Sequence, residues 1–172
     1  MADKDLKGQF SKLRTGDKVA FEEIYTHLKQ PVFTVCWRIV GSREAAEDLT
    51  HDVFVKLYVS PPDPSVKNER AWIFRMARNL AIDALRKRQH TDGELVMDDK
   101  YYPFKTVDVR LDVESAINML PYIDREVLSL RLNGGLSFKE VGAIMGLSLP
   151  ATYRRYRKAI KFLRETLNGG TS

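Results

Sequence analysis

A chain of 172 residues has room for one medium domain or two small ones, and a formal charge of +5 with a pI near 9.3 suits an anionic partner. The single cysteine, Cys36, excludes an internal disulfide, and His27, His51 and His90 lie too far apart to suggest a metal site by spacing, so neither a metal nor a cofactor is expected. No apolar run approaches the ~20 residues of a membrane span and "MADKDLKGQF" lacks the apolar centre of a signal peptide, which predicts a cytoplasmic protein with no membrane insertion.

Apolar residues recur at helical spacing almost everywhere and strict alternation never persists, which predicts an all-α fold. The first block, 5–89, is broken at Gly16, Pro31, Gly41 and "SPPDPS" into roughly four helices. From 90 to 112 the pattern fails in "HTDGELVMDDKYYPFKTVDVRLD", an acidic stretch that reads as a flexible linker. The second block, 113–168, resumes helical spacing and breaks at Pro121, Gly134-Gly135 and Gly146. Two small helical domains on a tether are expected.

Within the first block, "REAAEDLTHDVFVKLY" predicts a helix from Ser42 to about Val59, with Glu44, Asp48, His51 and Asp52 on one face and Ala46, Leu49, Val53 and Leu57 on the other. Acids near a helix N-terminus gain ~0.3–1 kcal/mol from the dipole, which accounts for Glu44 and Glu47 but not for His51 and Asp52. An acidic strip on a basic chain suits docking of a second, basic protein. Cys36, in "TVCWRIV", reads as a buried apolar residue rather than a redox switch.

The next helix, "ERAWIFRMARNLAIDALRKR", turns Ile73, Met76, Ala77, Leu80 and Ala84 inward and shows Arg75, Arg78, Asn79 and Arg86 on its other side. The proline-stiffened loop before it delivers Lys67, Asn68, Arg70 and Trp72 to the same edge as Asn79. Amides, guanidinium groups and an aromatic together are what capturing an unstacked base requires. The plain alternative is an exposed rim of arginines.

In the second block "SFKE" is a capping box, with Ser137 at the N-cap and Glu140 three residues on, opening a short helix that ends near Met145. "GLS" makes a tight turn and Pro150 fits the first turn of the next helix, completing a helix-turn-helix pattern. At about 100° per residue Thr152, Tyr156, Ala159, Ile160, Leu163 and Leu167 form an apolar stripe, while Tyr153, Arg154, Arg157, Lys158 and Lys161 fall on the other side. Arginine can pair bidentately with guanine and lysine can neutralise phosphate. A lysine-rich helix by itself is as well explained by a solvated face; the capped helix and glycine turn before this one point to DNA.

These two blocks, in this order, resemble a bacterial RNA polymerase sigma factor of the extracytoplasmic-function group. "AEDLTHDVFVKLY" followed by "AWIFRMARNLAIDALRKR" is similar to that family's region 2, and "MLPYIDREVLSLRLNGGLSFKEVGAIMGLS" with the last helix is similar to its region 4. The resemblance implies core RNA polymerase as a partner, through the beta-prime clamp helices and the beta flap, with Asp48, His51 and Asp52 on the clamp helices. His51 stands where the family usually shows glutamine, a change that keeps a hydrogen-bonding group but leaves the contact either weaker or dependent on pH. The minus-ten promoter element falls to Lys67, Asn68, Arg70, Trp72, Arg75, Arg78 and Asn79, around a flipped base. The minus-thirty-five element falls to Tyr153, Arg154, Arg157 and Lys158, with Arg155 nearby on phosphate. An anti-sigma factor is the further partner implied.

"SLPATY" departs from the family's usual start of that helix, so the promoter sequence is not copied from relatives. As a coil the linker spans only ~25 Å on average, against ~75 Å when stretched. Promoter elements one and a half turns apart need ~50 Å, so the tether is extended when both are held. A stand-alone helix-turn-helix repressor would explain the last helix but leave the acidic face and "AWIFRMARN" idle. An enzyme finds no phosphate-binding glycine loop, metal cluster or nucleophile-base arrangement to rest on.

Overall fold

A computed structural model of the chain describes residues 3–92 and 113–169, and among them there are eight helices and no strand. In chain order these are α1 (Asp3–Arg14), α2 (Lys18–Val40), α3 (Arg43–Val59), α4 (Glu69–Asp92), α5 (Val113–Asn118), α6 (Tyr122–Leu132), α7 (Phe138–Met145) and α8 (Leu149–Gly169). The linker expected over 90–112 lies outside the described residues from 93 onward, and residues 90–92 continue α4.

Local chemistry sets most of these boundaries. The Asp17 carboxylate accepts the Val19 and Ala20 N–H groups at 2.9 and 3.2 Å and so starts α2, and the Ser42 hydroxyl does the same for α3 through Ala45 at 3.3 Å. Such caps contribute about 1 kcal/mol each by occupying donors that have no partner inside the helix. The break expected at Pro31 does not occur: α2 runs unbroken through it. Proline inside a helix costs about 3 kcal/mol. Here Leu28, Val32 and Val35 on either side of it are buried, and their packing outweighs that cost.

The first block is a bundle in which α2 packs on α1, α3 and α4. Ile73 and Ala77 of α4 are buried as expected, but Met76, Leu80 and Ala84 are only half-buried, and Phe74, Ala81, Ile82 and Leu85 are buried too. The apolar arc of α4 is wider than one stripe because α4 meets α1, α2, α3 and also α7.

The second block is not merely tethered to the first. Tyr122, Val127 and Leu130 of α6, with Leu136, Val141 and Ile144, complete the same apolar core that α1–α4 build. A second, smaller core of Ala116, Leu120, Leu128, Ala159 and Leu163 holds α5, α6 and α8 together. Helix α6 is thus enclosed on two sides, and Asp124, Arg125 and Glu126 are 1%, 0% and 2% exposed. Buried charges persist only when paired, and each of these three has a partner. Arg155 donates to Asp124 at 2.8 Å, Arg78 donates to Glu126 at 2.7 Å, and Arg125 donates to the Asn118 carbonyl at 3.3 Å.

Candidate nucleic-acid interface

Helix α3 presents Glu44, Glu47, Asp48, His51 and Asp52 to solvent, while Ala46, Leu49, Val53 and Leu57 are buried beneath them. Glu47 is engaged by Arg43 one turn earlier at 3.0 Å. Asp48, His51 and Asp52 make no ion pair or hydrogen bond among the described residues, so the strip keeps its negative charge at the surface. His51 also borders a groove between α2 and α3 walled by Tyr25, Lys29, Phe33 and Thr50.

The loop before α4 is fixed from α1. Arg14 donates to the Pro62 carbonyl at 2.7 Å and pairs with Glu69 at 3.1 Å, drawing the loop against the bundle. Asn68 then caps α4, its side-chain oxygen accepting the Ala71 N–H at 2.8 Å. The residues expected to meet the minus-ten element divide into two sets. Trp72, Arg75 and Asn79 share one stripe of α4 at about 100° per residue. Trp72 is half-buried on the core, whereas Arg75 and Asn79 are exposed, as is Lys67 in the loop. Arg70 and Arg78 fall outside that stripe and turn to the second block. Arg70 donates to the Gly134 carbonyl at 2.8 Å, Arg78 pairs with Glu126, and the Asn68 amide donates to Glu140 of α7. Arg38 of α2 adds a further link between the blocks, pairing with Glu114 at 2.6 Å.

In the second block the capping box is present in both halves, Ser137 accepting from the Glu140 N–H at 3.2 Å and Glu140 accepting from the Ser137 N–H at 2.7 Å. Gly146 ends α7 with φ 69°, a left-handed conformation that favours glycine. Ser148 then caps α8, and Pro150 lies in its first turn. The helices of this turn approach closely at Gly142, where a Cβ would meet the Leu147 carbonyl oxygen at 2.7 Å and Thr152 Oγ1 at 2.9 Å. Thr152, Ala159 and Leu163 are buried and Tyr156, Ile160 and Leu167 half-buried, so the apolar stripe read from the sequence is the inner face. Tyr153, Arg154, Arg157, Lys158 and Lys161 are exposed. Arg155 is not part of that outer set: it is half-buried, with Asp124 as its ion-pair partner.

Family models for sigma-70 region 2 and sigma-70 region 4 match residues 24–91 and 110–163, which together take in both blocks. The chain belongs to the sigma-70 family. Its relatives include the ECF RNA polymerase sigma factor SigW of Bacillus subtilis, 26% identical over 94% of this chain and 96% of that one. SigE of Mycolicibacterium smegmatis is 28% identical over 89% of this chain and 65% of its own length. Among solved structures the sigma factor RpoE of Bartonella quintana, in complex with the anti-sigma factor NepR, aligns with a TM-score of 0.68 at 25% identity over 86% of this chain and 96% of that chain. CnrH, in complex with the cytosolic domain of CnrY, shares the fold with a TM-score of 0.67 at 22% identity over 95% of this chain and 97% of that chain.

Sequence reasoning missed the buried charges of α6. The signal was present in "YIDREVLSL", where Asp124, Arg125 and Glu126 sweep some 200° of a helix at about 100° per residue, more than one solvent face can hold. It also missed Gly142, a glycine inside an otherwise helical pattern, which marks close approach of another backbone.

Proposed function

We propose that the chain is an extracytoplasmic-function sigma factor: it binds core RNA polymerase, directs it to promoters through the minus-ten and minus-thirty-five elements, and helps melt the DNA. The observation that carries this reading is the presence of both sigma-70 regions, in order, on one chain. A region 4 helix-turn-helix alone would serve any DNA-binding regulator, whereas region 2 has its use on the polymerase.

In this reading Asp48, His51 and Asp52 meet the basic clamp helices, and their charge is available because nothing among the described residues neutralises it. Trp72, Lys67, Arg75 and Asn79 form the accessible part of the minus-ten surface. Asn68, Arg70 and Arg78 join it when the second block moves away from α4, since each is held there by Glu140, Gly134 or Glu126. The outer face of α8 enters the major groove at the minus-thirty-five element. The chain supplies no chemistry of its own; the polymerase does. It works in the cytoplasm, and an anti-sigma factor, such as the one bound to RpoE of Bartonella quintana, is its expected regulator. No helix among the described residues is long and apolar enough to cross a membrane.

Transcription in vitro with purified core enzyme over a promoter library tests the reading. The chain should produce promoter-specific transcripts, and Asp48→Arg should abolish both transcription and association with core enzyme. Association undiminished in that variant would remove the acidic face from polymerase binding, and a chain that never directs core enzyme to a promoter would overturn the assignment.

A further inference from the structure

Five cationic side chains lie along α8 from Arg154 to Lys158 and at Lys161, but most are held by carboxylates. Arg155 and Lys158 approach Asp124 at 2.8 and 3.9 Å, and Lys161 approaches Glu165 at 3.7 Å. Arg154 has no such partner among the described residues, and neither has Arg157, which is held in another way. The Arg157 guanidinium lies over the Tyr153 ring, 5.9 Å from the centroid. Tyr153 is one turn earlier, 47% exposed, and its ring meets that of Phe138 of α7 in a T-shaped contact at 5.3 Å and 85°. Phe138 is in turn held between Tyr156, at 5.1 Å, and the Arg131 guanidinium, at 5.0 Å. It is the first residue after the Ser137 cap, so the capping box fixes its backbone as well.

From this stack we infer that Tyr153 and Phe138 are positioning residues for base recognition: Tyr153 is a shelf that holds the Arg157 guanidinium toward the N-terminal end of α8, and Phe138 holds the shelf. The inference rests on the reading of α8 as the helix that enters the minus-thirty-five element. Three physical reasons support it. Helical side chains lean toward the N-terminus, so Arg157 reaches over Tyr153 toward the end of the helix that meets base edges. An arginine over an aromatic face is attracted by the ring yet keeps its donor edge open, which a carboxylate partner would cover. A guanidinium already held over a ring loses less freedom on forming two parallel hydrogen bonds with the O6 and N7 atoms of a guanine. The expected ligand of the shelf-held group is therefore one guanine of the upstream element.

The test uses the full chain bound to core RNA polymerase and a promoter library randomised across the minus-thirty-five element, read by sequencing the transcripts. The wild type should prefer guanine at one base pair and Arg157→Ala should lose that preference. Tyr153→Leu keeps apolar bulk but removes the ring; it should cut discrimination at that same base pair by roughly three- to tenfold, leaving other positions unchanged. Tyr153→Phe should restore the preference, and Phe138→Leu should reproduce the Tyr153→Leu defect more weakly. A Tyr153→Leu loss spread evenly over all positions, or centred on a base pair that Arg157→Ala does not affect, overturns the shelf. So does failure of Tyr153→Phe to restore it. A clear upstream preference that Arg157→Ala leaves intact also overturns the shelf while sparing the assignment of α8. A wild type with no upstream preference at all sinks that assignment, and the shelf with it.

Discussion

Arg78 of α4 and Glu126 of α6 meet at 2.7 Å across the contact between the two blocks, with the glutamate side chain 2% exposed and the arginine 21%. A carboxylate that deep is tolerable only with a cation beside it, and this cation is one that the proposed function assigns to the minus-ten surface. Glu126→Gln keeps the shape and removes the charge. Because Arg78 can rehydrate, the expected loss is about 1–3 kcal/mol, below that of a fully buried pair. Urea unfolding should show the loss, and small-angle scattering should show a larger radius of gyration as the blocks part. An unchanged radius would mean that the apolar core between α6 and α2 holds them together without this pair.

Arg155 gives a sharper contrast between binding and architecture. Its 2.8 Å contact with Asp124, which is 1% exposed, ties α8 to α6. Arg155→Ala should destabilise the second block by about 3 kcal/mol, because Asp124 would keep only the more distant Lys158. The salt dependence of DNA binding should stay as it is. A residue on phosphate would instead lower the slope of log affinity against log salt by about 1.

Gly142→Ala should cost about 1–3 kcal/mol, since the added methyl falls on the Leu147 carbonyl oxygen and the Thr152 hydroxyl. Thermal unfolding measures this directly. If the melting temperature were unchanged, α7 and α8 would have room that the geometry denies them.

Chain chemistry that acts locally is legible in the sequence alone. Ser42, Ser137 with Glu140, and Gly146 announce helix ends because a cap or a left-handed turn involves only neighbours in sequence. The outer and inner faces of α3 and α8 were legible for the same reason: each helix packs on one main side. Pro31 was misleading because its tolerance is decided by Leu28, Val32 and Val35 meeting other helices. The role of Arg78, Asn68 and Arg70 in joining the blocks was illegible, since their partners lie 48, 72 and 64 residues away. Nothing in the periodicity of α4 tells a cation left to solvent, such as Arg75, from one facing α6, such as Arg78.

Cys36 supplies a pH-dependent check. Burial pushes its thiol up from the ordinary 9.0 to about 12, so the folded chain holds that proton more tightly than the unfolded one. The contribution to stability is therefore complete below about pH 9 and is lost as pH rises toward 12. Comparing the unfolding free energies of wild type and Cys36→Ala at pH 8 and pH 10, about two units apart, the advantage of the wild type should shrink at the higher value. The native thiol should also resist alkylating reagents at neutral pH and react only as fast as the chain opens. Rapid alkylation of the folded protein would contradict its burial.

Arg38 carries a consequence for how the molecule is made. Its guanidinium, 4% exposed at the side chain, finds Glu114 at 2.6 Å and Asn118, 80 residues further along, at 3.3 Å. At a ribosomal pace of ~5–20 residues per second, Asn118 is added roughly 4–16 s after Arg38. Through that interval the nascent N-terminal bundle must keep this charge hydrated on a surface that the finished protein conceals, a window in which chaperones or other early binders can reach it before the rest of the polypeptide arrives.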